Sequence, residues 1–280
     1  MTTSSQDKLA IVILNYSSWQ ESLREAKICN EYLSIPYEDI IIIDNNSPND
    51  SAIKLKTASK DKGYIFLKAK HNDGYASGNN IGLRYAKTHG YKYCWILNND
   101  INFEDKAIVK KLINVFKKDE SIAIVNPKIL SPDGYLFNYD AVRYSFFDLT
   151  IGMLNYRKKG RNIVDLGGYG YVYRPQGCCM IVDLDKMAEI DYFDENTFLY
   201  CEEPILAERL LKKGYKCACC LTTEIIHNHS KTVKSVFQKR EINKIQNESF
   251  KYYLYEYRKY NEVMTTICLL FNKIKSLLLQ

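Results

Sequence analysis

Polar side chains stand directly after an apolar run near the middle of the first half of the chain. Asn98, Asn99 and Asp100 follow the run at 93–97, which reads as a strand buried on both faces. In open α/β sheets, ligands bind beyond the carboxyl ends of such strands. A lone carboxylate among amides can bind a hard divalent cation that substrate phosphates share. Asp100 is therefore a candidate metal ligand, and the equal alternative is that it caps a helix beginning near Glu104.

Two acidic residues farther along the chain form a second candidate centre. Glu202 and Glu203 precede Pro204, which favours the first turn of a helix predicted over about 205–213. The positive end of the helix dipole stabilises acidic side chains, but one glutamate would satisfy that role. The second glutamate is then free to face a cleft, where a carboxylate can accept a proton from a substrate.

The elements that must position these residues alternate through the first 120 residues. Strands are predicted at 8–14, 40–43, 64–67 and 93–97, each followed by a helix, the last at 104–118. Such alternation implies parallel βαβ units with right-handed crossovers, so the polar loops meet at one edge of the sheet. Those loops contain Asn15, Tyr16, Asp44, Asn72, Asn79, Asn98 and Asn99.

The regular alternation stops in the second half of the chain. A strand is predicted at 122–125, ending at Asn126-Pro127, and another at 176–182 begins with small residues that let a ligand approach the backbone. Between them, tyrosines at 169, 171 and 173 alternate like one face of a strand. Core packing is the favoured interpretation of these tyrosines, and an aromatic wall for a sugar is the alternative.

Cysteine usage predicts reduced thiols. The nine cysteines occur without an export signal at the start of the chain, so we expect them to be packed as small apolar side chains. Cys217 and Cys220 have a CxxC spacing, with His227 and His229 shortly after, which raises a zinc site as an alternative. Residues three apart in a strand face opposite ways and no second CxxC is present, so this alternative is disfavoured.

Length and composition favour an ordinary globular protein. The chain has 280 residues, of which 46% are hydrophobic and 26% charged. No stretch approaches the roughly 20 apolar residues that cross a bilayer, and the first eight residues lack the apolar core of a signal peptide. We therefore expect a cytoplasmic protein, with peripheral attachment to the cytoplasmic face of a membrane left open.

The basic charge is concentrated at the end of the chain. Residues 230–280 contain ten Lys or Arg and four Asp or Glu, a difference of +6 that equals the net charge of the whole protein. Apolar residues in this segment recur at helical spacing. Such a helix could rest on the inner leaflet of an anionic membrane, pack on the protein's own core, or join a homodimer. The stripe comprises Val263, Ile267, Leu270, Ile274 and Leu277, flanked by Met264, Phe271 and Leu278.

Taken together, these segments resemble the inverting family 2 glycosyltransferases of the GT-A fold. The resemblance spans roughly residues 8–232 and is strongest to the branch with bacterial rhamnosyltransferases and related cell-surface polysaccharide enzymes. It is carried by seven motifs in sequence order: IVILNY, IIIDNNSPNDS, NDGYASGNNIG, WILNND, GCCMIV, FDENTFLYCEEP and IIHNHS.

The resemblance implies an α/β fold with a Rossmann-like, mostly parallel sheet flanked by helices. It assigns residues 1–229 to a GT-A domain, with a nucleotide-binding half at about 8–120 and an acceptor half at about 121–229. Residues 230–280 would form a basic, amphipathic helical extension. The implied activity is transfer of a sugar from a nucleotide-diphosphate sugar, such as a UDP- or dTDP-sugar, to a glycan or lipid-linked glycan, assisted by Mg²⁺ or Mn²⁺.

The same resemblance assigns roles residue by residue. Asn15 and Tyr16 would frame the nucleotide base, Asp44 would bond to the base or ribose, and the loop around Asn72 and Asn79 would lie near the donor. Asn98-Asn99-Asp100 would stand at the family's DxD, with Asp100 as the metal-binding carboxylate, and His227, or else His229, would approach the metal. Glu203 would be the general base, beside Glu202. Arg209 would match an arginine found later in the helix that follows these two glutamates.

Two departures from the family pattern keep a second function open. Asn98 replaces the first aspartate of the DxD, and Ile205 stands where the pattern has a further acidic residue. A catalytically idle module that binds nucleotide-sugars or glycans is therefore the alternative to an enzyme. A nucleic-acid binder that uses the basic tail is disfavoured because the chain contains no recognisable reader module.

Overall fold

The computed structural model describes residues 8–137, 140–154, 162–228 and 239–278. Nine strands among these residues form a single mixed sheet. They are β1 (Leu9–Asn15), β2 (Ile40–Asp44), β3 (Ile65–Lys68), β4 (Tyr93–Leu97), β5 (Ile101–Phe103), β6 (Ile122–Leu130), β7 (Tyr169–Val172), β8 (Cys179–Asp183) and β9 (Lys216–His227).

The helices of the described residues lie between and after these strands. They are α1 (Trp19–Glu31), α2 (Ser51–Lys62), α3 (Tyr75–Thr88), α4 (Ile108–Phe116), α5 (Phe146–Leu149), α6 (Leu184–Glu189), α7 (Glu202–Lys212), α8 (Lys239–Tyr252) and α9 (Glu262–Leu278). Short 3₁₀ turns cover Tyr37–Asp39 and Ile151–Leu154, and a π-helical segment, Tyr253–Tyr257, follows α8 directly. None of these helices is both long and apolar enough to cross a membrane.

The first half of the sheet is parallel, as the strand–helix alternation predicts. The spatial order is β3-β2-β1-β4, and each neighbouring pair is parallel. Asn15 at the end of β1 is in register with Asp44 at the end of β2. The carboxyl ends of the strands, and the polar loops after them, therefore meet at one edge.

The second half of the sheet is mixed and extends past β4. Strand β8 lies antiparallel between β4 and β6, while β6 runs parallel to β9. Strand β9 is twelve residues long and pairs with β7 near its start and with β5 at its end, both antiparallel. This long strand carries His227 to the start of β5, in register with Ile101.

Several boundaries differ from the sequence-based expectations; for example, the strand expected at 176–182 is Cys179–Asp183, and the helix expected over 205–213 begins at Glu202. Strand β6 continues through Asn126 and Pro127 to Leu130, because its pairing with β9 shifts register at Pro127 and so tolerates a residue without an N–H. The helix expected from Glu104 begins only at Ile108, because residues 101–103 form strand β5 instead.

Side chains that alternate along the strands divide the core into two layers. Trp95 faces the layer covered by α1, α2 and α4, whereas Cys94 and Ile96 face the layer covered by α3, α6 and α7. Cys217 and Cys220 likewise belong to opposite layers, so they do not share a site. Among the described residues, no group of three or more His, Cys, Asp or Glu is placed to hold a metal ion. The zinc alternative is thus wrong for the cysteine pair, and His229 lies outside the described residues.

The C-terminal segment packs on the rest of the protein. Ile205 of α7 lies in a small apolar cluster with Tyr253, Leu254 and Cys268. Ser249 Oγ donates a hydrogen bond of 2.7 Å to the carbonyl of Leu199, in the loop that leads to α7. Helices α8 and α9 are therefore part of the wall around that loop.

Helix α9 docks on the protein through Thr265 and Cys268, which are buried, with Cys268 in the apolar cluster around Ile205. Val263 and Leu270 of the predicted apolar stripe are 68% and 54% exposed, whereas Ile267 and Ile274 are half-buried. Docking on the protein's own core is therefore observed, and it covers only part of the predicted stripe. The side chains of Leu277 and Leu278 lie outside the described part of the chain.

Candidate active site

One centre forms where β4 passes into β5 beside the end of β9. Asp100 Oδ1 lies 3.2 Å from His227 Nε2, and the Asn228 N–H donates to the Asp100 carbonyl at 3.1 Å. Both carboxylate oxygens of Asp100 are buried and accept no hydrogen bond from any described residue. Helix α4 has Ala107 at its N-cap, so the interpretation of Asp100 as a helix cap is wrong.

The two side chains at this centre suit a divalent cation whose remaining ligands come from a bound substrate. A buried carboxylate without hydrogen bonds is costly unless a cation approaches it, and His227 supplies an imidazole nitrogen next to it. Mg²⁺ and Mn²⁺ sites that serve phosphate substrates commonly take only one or two protein ligands, the rest being phosphate oxygens and waters. Asp100 and His227 match that arrangement.

The second centre is the start of α7. Tyr200 and Cys201 adopt the left-handed backbone conformation, with φ of 69° and 64°. That conformation costs of order 1–3 kcal/mol for each non-glycine residue and is concentrated at functional sites. It turns the chain so that Glu202 and Glu203 form the first turn of the helix, as the sequence predicts. Glu203 Oε1 accepts a hydrogen bond of 3.2 Å from the Gly177 N–H.

The two glutamates differ in their surroundings. Glu202 Oε2 is buried and accepts no hydrogen bond within the described part of the chain. Burial, and secondarily the nearby charge of Glu203, raises the pKa of Glu202 to about 8, against an opposing effect of Arg174. At neutral pH Glu202 therefore holds a proton in the free protein.

A cavity of about 510 Å³ joins the two centres. Its wall includes Asn98, His227, Glu202 and Glu203, which come from three separate segments of the chain. Asn98 N–H donates to the Cys178 carbonyl at 2.9 Å, which ties the end of β4 to the strand segment before β8. His227 and the candidate base Glu203 thus line one hollow, and Asp100 lies behind the wall, in contact with His227.

A buried hydrogen-bond chain lies beside this cavity at the ends of β1 and β2. Asn15 Nδ2 donates to Asp44 Oδ1 at 2.8 Å, and Ser22 Oγ donates to Asn15 Oδ1 at 2.9 Å. Asn99 Nδ2 donates in turn to Ser22 Oγ at 3.0 Å. Asp44 also accepts from the backbone N–H and the hydroxyl of Ser47. Tyr16 is half-buried directly after Asn15.

The loop before α3 is fixed by amide side chains, and Gly78 and Gly82, which the sequence placed near this loop, lie within α3. Asn72 Oδ1 accepts from Asn45 Nδ2 at 2.9 Å and from the Gly74 N–H at 3.2 Å. Gly74 has φ of +95°, and a Cβ there would lie 1.9 Å from the Phe198 carbonyl oxygen, so only glycine fits. Asn79 is fully buried and donates to the Tyr75 carbonyl, so it stabilises α3 and does not line the 510 Å³ cavity.

Sequence reasoning missed part of the cavity wall. Arg174, and Gln246, Phe250 and Asn272 of the C-terminal helices, all line it. No motif marks these positions, because helices α8 and α9 reach the cavity only through tertiary packing. Arg209 lies elsewhere, in a separate cavity, where its guanidinium donates to the Ile190 carbonyl.

Comparison with known proteins agrees with this geometry. The family model described as glycosyl transferase family 2 matches residues 11–180. A low-salt glycan biosynthesis hexosyltransferase, Agl10 of Haloferax volcanii, is 26% identical over 228 residues, covering 79% of this chain and 67% of that protein. An O-antigen chain rhamnosyltransferase, RfbN of Salmonella typhimurium, is 22% identical over 205 residues, covering 72% of this chain and 61% of its own length.

A solved structure shows the same fold. The mannosyltransferase PcManGT from Pyrobaculum calidifontis, in complex with GDP-Man and Mn²⁺, superposes with a TM-score of 0.62. The match covers 94% of this chain and 68% of that chain at 10% sequence identity. The GT-A fold is thereby confirmed, including a match that extends over the C-terminal helices.

The proton on Glu202 predicts a pH-dependent stability. The folded state raises the pKa of Glu202 from 4.5 to about 8, so folding is favoured most below pH 4.5 and this contribution is lost as the pH rises to about 8. Glu202→Gln removes that titration. The melting temperature of the variant minus that of the parent should therefore increase between pH 4.5 and 8 in EDTA. Glu120→Gln changes an exposed glutamate and is the control, for which the difference in melting temperature from the parent should not change with pH. A difference for Glu202→Gln that is equally independent of pH would contradict the prediction.

Proposed function

Because this chain belongs to glycosyltransferase family 2, we propose that it is an inverting enzyme that moves a sugar from a nucleotide-diphosphate sugar to a glycan hydroxyl. The protein is a glycosyltransferase of glycan or polysaccharide biosynthesis. The observation that supports the mechanism is the cavity that His227, Glu202 and Glu203 line together, with Asp100 in contact with His227.

The donor occupies the edge formed by the parallel strands. Asn15, Tyr16 and Asp44 receive the nucleoside, where the Asp44 carboxylate is held in place by Asn15 and Ser47. Asn99 is fixed to the same hydrogen-bond chain through Ser22, and Asn72 shapes the neighbouring loop. This rigid polar edge suits the base and ribose of a UDP- or dTDP-sugar, because its groups are already oriented before the ligand arrives.

Asp100 and His227 face the diphosphate of the donor, with Asn98 beside them. Mg²⁺ or Mn²⁺ held by these two side chains would supply Lewis-acid stabilisation of the charge that grows on the departing diphosphate. The chain contributes a buried position with few protein ligands, so that phosphate oxygens complete the coordination. Asn98 brings an amide oxygen and no charge, which predicts a weaker metal site than two aspartates would give.

Glu203 accepts the proton of the attacking hydroxyl. Its Oε1 is oriented by the Gly177 N–H at the cavity wall, so its geometry is set before substrates bind. Burial raises the pKa of its neighbour Glu202 to about 8, which makes Glu202 the weaker candidate for the base. Attack from the side opposite the diphosphate inverts the configuration at the sugar carbon.

The outward face of α9 directs the protein to an anionic membrane, where a lipid-linked glycan would be presented. Val263 and Leu270 are exposed apolar residues one heptad apart on a helix whose opposite face lines the cavity. The charge of +6 on residues 230–280 complements an anionic inner leaflet. A second subunit is the competing occupant of this face.

The role of Glu203 is tested by Glu203→Gln. The amide cannot accept the hydroxyl proton, so transfer should fall by ~10²- to 10⁴-fold while the affinity for the donor stays the same. Donor binding is measured by calorimetry, and turnover by release of the nucleoside diphosphate. If Glu202→Gln abolishes turnover and Glu203→Gln does not, the base is Glu202. If the parent protein binds donors but neither transfers nor hydrolyses them with Mn²⁺, it is an idle binding module.

The role of Asp100 is tested by a pair of opposite substitutions. Asp100→Asn removes the carboxylate, so Mn²⁺ should no longer strengthen the binding of a nucleoside diphosphate. Asn98→Asp restores a second carboxylate and should lower the Mn²⁺ concentration needed for half-maximal binding. Calorimetric titrations of UDP at several Mn²⁺ concentrations measure both effects. An unchanged Mn²⁺ dependence in Asp100→Asn would exclude Asp100 as the ligand.

The membrane face is tested by Val263→Glu combined with Leu270→Glu. Both side chains are exposed, so the charges should leave folding intact while weakening flotation with vesicles that contain anionic lipid. Ile53→Glu is the matched control, because Ile53 is 70% exposed on α2 at a different surface. Equal flotation of the double variant and the control, or a loss of dimers in light scattering instead, would count against a membrane.

A further inference from the structure

Tyr75, the first residue of helix α3, lies between two segments that meet the candidate base. Its hydroxyl donates a hydrogen bond of 2.6 Å to the Gly177 carbonyl, and its own N–H donates to the Phe198 carbonyl at 3.0 Å. The N–H of Gly177 donates in turn to Glu203 Oε1 at 3.2 Å. The tyrosine side chain is therefore linked to the glutamate through a single backbone residue.

Gly177 is packed closely against both of these side chains. A Cβ at this position would lie 3.1 Å from the Tyr75 hydroxyl oxygen and 3.2 Å from Glu203 Oε1, closer than most Cβ contacts in proteins. The small residue before β8 thus admits two side chains of the protein itself to the backbone. Because the Gly177 peptide touches both, a shift of that peptide also displaces the Glu203 carboxylate.

The tyrosine ring is itself held in place. It meets the ring of the buried Phe193 edge-on, with the ring centroids 5.9 Å apart. Burial raises the pKa of the Tyr75 phenol well above its ordinary value, and the neighbouring Glu202 and Glu203 act in the same direction. At neutral pH the hydroxyl therefore keeps its proton and remains a hydrogen-bond donor to the Gly177 carbonyl.

The backbone of the same tyrosine anchors the strained turn before the glutamates. Phe198, whose carbonyl accepts the Tyr75 N–H, lies two residues before Tyr200, where the left-handed conformation of Tyr200 and Cys201 begins. Strained backbone of this kind persists only where surrounding contacts fix it. Tyr75 thus contacts both the turn that leads to Glu203 and the peptide that binds the Glu203 carboxylate.

We propose that Tyr75 is a positioning residue for proton transfer: its hydroxyl fixes the Gly177 peptide, and that peptide fixes the carboxylate of Glu203. Tyr75 does not itself accept the proton. It directly follows the loop of Asn72 and Gly74, so the loop proposed to lie near the donor and the candidate base are joined through one residue. The effect on proton transfer rests on Glu203 as the base proposed above, whereas the hold of Tyr75 on the Gly177 peptide does not.

Tyr75→Phe removes the hydroxyl and keeps the ring. Turnover should fall by roughly 10- to 100-fold, because misplacing a reacting group by about 1 Å can cost about 10²-fold, while the affinity for the donor and the KM for the acceptor stay the same. Tyr64→Phe is the matched control, since the Tyr64 hydroxyl also donates to a backbone carbonyl, that of Leu55. Tyr64 precedes β3, at the opposite end of that strand from the Asn72 loop, so its variant should keep the parent's turnover. Melting curves verify that both variants fold.

A double variant separates positioning from direct contact with a substrate. Tyr75→Phe combined with Glu203→Gln should lose no more turnover than Glu203→Gln alone, because the tyrosine acts through the glutamate. Losses that multiply in the double variant would overturn the inference. So would an increased KM for the acceptor with unchanged kcat in Tyr75→Phe, since Tyr75 would then contact the acceptor itself.

Hydrogen exchange of the backbone amides at 175–179 gives a readout that needs no turnover. The Gly177 amide should exchange faster in Tyr75→Phe than in Tyr64→Phe, because the peptide has lost one of its anchors. Equal exchange in the two variants would overturn the hold of Tyr75 on Gly177. If exchange at Gly177 is faster but Glu203→Gln keeps full turnover, that hold stands, Glu203 is not the base, and the role of Tyr75 in proton transfer fails with it.

Discussion

The cost of burying a carboxylate is the constraint that the surroundings of the candidate site must offset. Four carboxylates are accommodated differently. Asp44 is enclosed by donors from Asn15 and Ser47, Glu203 accepts an N–H at the start of a helix, and burial raises the pKa of Glu202 to about 8. Asp100 keeps both oxygens without a hydrogen bond from the described residues. These differences support the different roles proposed for the four: contact with the nucleoside, base, neutral acid and metal ligand.

The departure from the family pattern at Ile205 has a structural use in this chain. An acidic side chain there would be buried against Tyr253, Leu254 and Cys268, where a charge is costly. The isoleucine instead completes the apolar cluster that attaches the C-terminal helices two residues after Glu203. The helix that carries the candidate base is thus also the helix on which α8 and α9 are docked. Positioning of the base and closure of the cavity depend on the same packing.

The sequence predicted the parallel half of the fold and the candidate centres well, because their signals are local. Apolar runs that end in polar loops located β1 to β4, and Glu202-Glu203-Pro204 located the start of α7. The signals failed where long-range pairing decides the structure. Pro127 reads as a strand end, yet a register shift against β9 accommodates it. The apolar stripe of α9 left open whether the helix meets a membrane, the protein's own core or a second subunit, and the helix docks on the core through Thr265 and Cys268 while Val263 and Leu270 stay exposed.

The C-terminal helices separate the residues proposed for the donor from a part of the cavity wall that no sequence motif marks. The residues proposed for the donor sit on strand ends fixed by the parallel sheet, where a change in any one disturbs buried hydrogen bonds shared with its neighbours. Gln246 and Asn272 instead line the cavity from helices attached, among the described residues, by one small apolar cluster and a few hydrogen bonds. Such an attachment can change its side chains without altering the sheet. If this cavity receives the acceptor, as the proposed function requires, contacts with the acceptor can vary while the residues proposed for the donor stay the same.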